Sequence, residues 1–76
     1  MEGRILAWRN DNEELAFELK LKNFNLAKFQ VEFGLSLGNP MYDVYVVKPS
    51  NAPFLARYLE CPHAWNFEAY EYHLER

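Results

Sequence analysis

A single cysteine, Cys61, leaves no partner for an internal disulfide, so packing and hydrogen bonds alone have to hold the chain together. Glycine is scarce as well: Gly34 and Gly38 lack the G-x-G-x-x-G spacing and any following Lys-Ser or Lys-Thr, which excludes a phosphate-cradling loop. No apolar run approaches the ~20 residues of a membrane span, and Met1-Glu2-Gly3-Arg4 lacks the basic-then-apolar opening of a secretory signal. A cytoplasmic location is expected. The most telling absence is of positive charge. Residues 10–19 and residues 60–75 hold no Lys or Arg, yet the first stretch carries Asp11, Glu13, Glu14 and Glu18 and the second Glu60, Glu68, Glu71 and Glu75.

What is present fits a small domain. The 76 residues are 50% hydrophobic and 17% aromatic, too apolar for a disordered segment, with no repeat or linker to divide residues 1–76. The net charge of −3 opposes nucleic acid or an anionic membrane surface as a direct partner. A cationic protein suits it better. Trp65, Phe67, Tyr70 and Tyr72 stand among the second set of acids, and aromatic side chains are frequent anchors of interfaces.

Patterning predicts the order ββαβαβ. Ile5 to Arg9 reads as a strand entering a turn at Asn10-Asp11-Asn12, and from Leu15 the residues Leu15, Phe17, Leu19 and Leu21 alternate with Ala16, Glu18, Lys20 and Lys22 as a second strand. Asn25 is placed to cap a helix through Leu26, Phe29 and Phe33, with Gly34 taking φ > 0 at its end. Tyr42 to Val47 forms the third strand. Ser50 is expected to cap a short helix with Pro53 in its first turn and Leu55, Tyr58 and Leu59 inward, ending at Cys61-Pro62. Trp65 to Leu74 is the fourth strand, with a bulge near Ala69 where the facing switches. The expected fold class is α+β: a four-stranded antiparallel β-sheet with short helices on one face. Phe17, Phe29, Phe33, Phe54 and Phe67 are assigned to the core, while Tyr42, Tyr45, Tyr70 and Tyr72 suit either a core margin or an adhesive surface.

Catalytic constellations are thin. Cys61 and His63 could act as nucleophile and base or as two metal ligands, but Pro62 stiffens the link and no second Cys/His pair completes a four-ligand site. His73, between Glu71 and Glu75 on one strand face, could hold an imidazolium between two carboxylates, and is otherwise a surface histidine. Glu68 and Glu71 differ in parity, against a paired-carboxylate device. No enzyme, cofactor or metal is expected.

In order and spacing, several segments resemble the cloacin-type immunity proteins, small bacterial inhibitors of ribonuclease bacteriocins. They are Leu6-Ala7-Trp8 with the acidic turn Asn10-Asp11-Asn12-Glu13-Glu14, Glu32-Phe33-Gly34-Leu35, Tyr42-Asp43-Val44, Pro53-Phe54-Leu55-Ala56-Arg57-Tyr58, and Phe67-Glu68-Ala69-Tyr70-Glu71-Tyr72. The resemblance runs from about Ile5 to Glu75. It implies a four-stranded antiparallel sheet and a 1:1 complex with the basic nuclease domain of a bacteriocin or contact-dependent growth-inhibition toxin. The chain departs from that family in being less acidic, with Lys20, Lys22 and Lys28 in its first half, which suggests a toxin other than a ribosome-cutting enzyme, such as a tRNase. It also carries Met41-Tyr42-Asp43 where the family has Cys-aromatic-Asp, leaving Asp43 as the contact best carried over. The residues expected to bind the partner are Asp11, Glu13, Glu14, Tyr42, Asp43, Tyr45, Glu68, Tyr70, Glu71, Tyr72 and Glu75. A small acidic adaptor or assembly subunit is the competing reading.

Overall fold

Alternation of apolar and polar residues at both ends of the chain produces the two strands at the centre of the sheet. The computed structural model describes residues 3–76. Its elements are β1 (Arg4–Arg9), β2 (Leu15–Lys20), α1 (Leu26–Glu32), β3 (Tyr45–Val46), a 3-10 turn (Pro49–Asn51), α2 (Ala52–Ala56) and β4 (Tyr70–Glu75). All pairings are antiparallel, and the four strands lie in the order β2-β1-β4-β3. The fold is α+β, as the patterning predicts.

One face of the sheet makes the core. Ile5 and Ala7 of β1 lie beside Leu74 and Tyr72 of β4, all at most 1% exposed, and Phe29, Leu55, Tyr58 and Leu59 close over them. Both helices therefore pack on this face. Of the phenylalanines assigned to the core only Phe29 is fully buried; Phe17, Phe33, Phe54 and Phe67 are partly buried and pack around it. Rings at 4.4–5.0 Å from Phe24, Phe54 and Tyr58 enclose Phe29.

Local signals for α1 hold. The Asn25 Oδ1 accepts the Lys28 N–H at 3.1 Å, and Gly34 stands at φ +69°. Gln30, buried on the same helix, donates through Nε2 to the carbonyls of Leu37 and Asn39 at 3.0 and 2.6 Å, tying down the loop before β3. The α2 cap differs from expectation: Asn51, not Ser50, is the ordering residue, accepting the Lys48 N–H at 2.9 Å and donating to Glu32 Oε2 at 2.8 Å.

Strand extents also differ. β3 shrinks to Tyr45–Val46 because Met41, at φ +59°, and a bend at Asp43 take the chain out of pairing geometry. β4 starts only at Tyr70. Asn66 turns the preceding segment by accepting the N–H groups of Glu68 and Ala69 at 3.2 and 3.1 Å, so the switch of facing expected as a bulge at Ala69 is a turn. The register shift falls instead between Ala7 and Trp8, where Phe17 pairs with Ala7 but Leu15 with Trp8. Leu15 thus leaves the inward set predicted for it and is 51% exposed.

Among the described residues no helix lies against the second face. Across it, Trp8 lies between Leu15 and Glu71, Leu6 between Glu18 and His73 with Val46 beyond, and Arg4 between Lys20 and Glu75.

Candidate functional site

Because β1 and β4 are neighbours, the two stretches without basic residues meet at one end of the sheet. Asn10, leaving β1, donates its backbone N–H to the Ala69 carbonyl at 3.0 Å, and its Nδ2 to the carbonyls of Phe67 and Glu68 at 3.3 and 3.0 Å. This joins the first turn to the turn before β4. A cleft of about 500 Å³ opens there, with the carboxylates of Asp11, Glu13 and Glu71 around Trp8 and His73. A smaller hollow of about 330 Å³ adjoins it and adds Glu68 and Tyr70.

Arg9 is the one lysine or arginine lining both spaces, and it is already engaged. Its guanidinium grips Asp11 with two bonds, Nε to Oδ1 at 3.1 Å and Nη2 to Oδ2 at 3.0 Å. That hydrogen bonding holds the Asp11 carboxyl below its ordinary range and raises Arg9 above its own. Among the described residues Glu13 and Glu68 make no ion pair with Lys or Arg, and Glu71 pairs only with His73 Nε2, at 2.6 Å. The surplus at this end is negative.

Backbone geometry marks the same place. Glu13 stands at φ +59°, a left-handed conformation costly for a residue with a long side chain, and the turn holds it there by the Glu13 N–H to Arg9 carbonyl bond at 2.8 Å. Asn12 steadies the turn from both sides, its Oδ1 accepting the Glu14 N–H at 3.0 Å and its Nδ2 donating to Glu14 Oε1 at 2.9 Å. The Trp8 indole N–H, shielded from solvent, meets no acceptor among the described residues. Packing, against His73 among others, holds that ring.

This chain belongs to the family described as Domain of unknown function (DUF7683), which matches residues 4–75. No curated protein and no solved structure matches it significantly. The matched span contains both turns and the whole cleft, but the family description assigns them no role.

The residues expected to bind a partner divide into three groups. Asp11, Glu13, Glu14, Glu68 and Glu71 gather at the acidic end, with Tyr70 at its inner margin against Phe17, ring centroids 5.0 Å apart. Tyr42, Asp43, Tyr45 and Glu75 lie toward the other end of β4. There Arg4 already neutralises Glu75 at 2.5 Å, Arg76 stacks on Tyr42 at 5.2 Å, and the Tyr45 ring packs on Phe33. Asp43 is exposed in a bend and not within the third strand expected over Tyr42 to Val47. Tyr72 is the clear correction. It is 0% exposed, and its hydroxyl accepts the Asn66 N–H at 3.1 Å and pairs with His63 Nε2 at 2.9 Å, so it belongs to the core and not to an adhesive face.

His63 is thereby accounted for. It packs among Phe17, Trp65 and Tyr72 with centroids 5.2–5.6 Å away, and burial pushes its pKa down. The Tyr72 hydroxyl accepts the Asn66 N–H, and its bond to His63 Nε2 takes its direction from the His63 tautomer. His73 pairs with Glu71 alone, because Arg4 claims Glu75. Among the described residues no group of three His, Cys, Asp or Glu is placed to hold a metal ion, and no helix is long and apolar enough to cross a membrane. Trp8 and Leu15 were absent from the sequence-derived set. For Trp8 the signal was available, since it alternates with the inward Ile5 and Ala7 and a tryptophan on the outward parity has little structural reason to be there.

Proposed function

We propose that this chain is an immunity-type inhibitor, without catalytic activity, that binds the basic nuclease domain of a toxin in the cytoplasm as a 1:1 complex. One observation carries the reading: two acid-only segments, remote in sequence, converge around Trp8 in a cleft whose single arginine is already paired. A nuclease has to display Lys and Arg to hold phosphates, so a surplus of carboxylates beside an aromatic ring uses a surface that the toxin cannot discard. Steering by those charges speeds the encounter, which matters when a free toxin molecule is dangerous. The aromatic partner in this scheme is Trp8, and the tyrosines contribute at most through Tyr70.

The experiment is co-purification with the nuclease domain encoded beside this chain's gene, followed by stopped-flow association at two salt concentrations. A rate that falls steeply with salt supports the reading, and no association with any basic domain sinks it. The adaptor reading draws on the exposed side chains of Tyr42, Val44 and Val46 at the β3 edge. Capture of a neutral partner through that edge would favour it.

A further inference from the structure

The acidic end fixes where charge is offered but not which surface is covered on binding. The sheet supplies that. Its helix-free face carries an apolar diagonal from Leu15 through Trp8 to Leu6, with Val46 beyond His73, and Leu15 and Val46 remain 51% and 54% exposed. An apolar, tryptophan-bearing centre inside a charged rim has the make-up of an interface core.

Charge selects the occupant. The face presents Glu18, Glu71 and Glu75 against Arg4 and Lys20, with Arg4 engaged by both Glu18 and Glu75, and Glu13 adds to its hairpin margin, so the surplus is negative, lies at the hairpin end and suits a cationic partner. A nucleic acid would be repelled there. A second exposed apolar surface, around Val31 and Phe54 between the helices, is lined by Lys28 and Glu32, which offset each other. It offers no sign to a partner.

We propose that a cationic protein docks on the uncovered sheet face, with Leu6, Trp8, Leu15 and Val46 as the buried centre and the acidic hairpin end setting its orientation. This rests on the reading of the partner as a basic nuclease domain and adds the surface it covers. The consequence separates apolar docking from plain attraction. A new carboxylate at the centre adds favourable long-range charge yet has to be desolvated in the complex.

The test compares Leu15→Glu and Val46→Glu with Val31→Glu on the helical side, which is 75% exposed. All three positions face solvent, so the variants should fold, and urea melts check that they do. The probes are the catalytically inactivated nuclease domain from the neighbouring gene and cytochrome c as a protein whose attraction is by charge alone. Leu15→Glu and Val46→Glu should each weaken nuclease binding by about tenfold or more, while Val31→Glu stays within about twofold and cytochrome c binds all three as well as or better than the parent. If the two face variants bind the nuclease undiminished while Glu13→Lys with Glu71→Lys still weakens it, the docking face is wrong and the cationic reading stands. If neither set matters, or the neighbouring gene encodes no basic domain, the functional reading falls and this inference with it. Sedimentation of the free protein as a dimer that Val46→Glu dissociates would overturn the proposal in favour of a second copy.

Discussion

Reversing Glu13 and Glu71 together should slow association with the basic partner far more than reversing Asp43. The two glutamates line one cleft beside Trp8, and the only arginine there is bound to Asp11. Asp43 lies beyond the opposite end of β4. Five residue-to-residue steps, from Tyr70 to Glu75, separate the two ends, roughly 17 Å, or about two Debye lengths at physiological ionic strength. Charge at one end is therefore nearly invisible from the other. Steering by a compact patch raises on-rates by about 10- to 1,000-fold, so Glu13→Lys with Glu71→Lys should cost about tenfold or more in k_on at low salt, shrinking toward parity as salt rises. Asp43→Lys should change k_on by less than about twofold, and Asp43→Ala should leave k_off nearly unchanged because its exposed carboxylate loses little water on binding. Stopped-flow association at two salt concentrations and chase dissociation measure all of these. Equal slowing by the two sites, or a parent rate indifferent to salt, would refute the argument that steering resides at the acidic end.

Stability offers further checks. Phe29→Ala should lose about 3–5 kcal/mol in urea melts, since its ring is wholly enclosed, and a loss under ~1 kcal/mol would contradict its place in the core. Gly34→Val should cost roughly 1–2 kcal/mol from left-handed strain alone, as a Cβ there meets nothing within 4 Å; Glu13→Gly should gain about 1 kcal/mol for the converse reason. For His63 the folded pKa lies below the unfolded value of about 6.5, so protonation favours the unfolded chain. Its full contribution is present above about pH 6.5 and is lost as pH falls from there toward the depressed folded value. The urea midpoint of the parent should drop between pH 7.5 and pH 5 by more than that of His63→Gln; equal drops would show that His63 does not carry the dependence.

Much of this chain was legible from its sequence because the signals concerned are local. Alternation marks strands at Ile5–Arg9 and from Leu15, Asn25 has an oxygen at the right spacing for its own helix, and Gly34 relieves a backbone that other residues resist. The order ββαβαβ and the single helical layer follow from such rules. The acid-only stretches were equally visible. Their meeting was not, because it depends on β1 pairing with β4 across some sixty intervening residues, a non-local choice made by the whole core. Parity likewise says which side chains share a face of a strand but not which face the helices will cover. Tyr72 and Glu71 are neighbours, and one is enclosed while the other stands in the cleft, since Phe17, His63, Trp65 and Phe67 pack on Tyr72's side. A one-residue register shift beside Trp8 then turns Leu15 outward against its own alternation. Sequence alone determined the elements and their charge; tertiary packing decided which charges stand together and which aromatic ring stands with them.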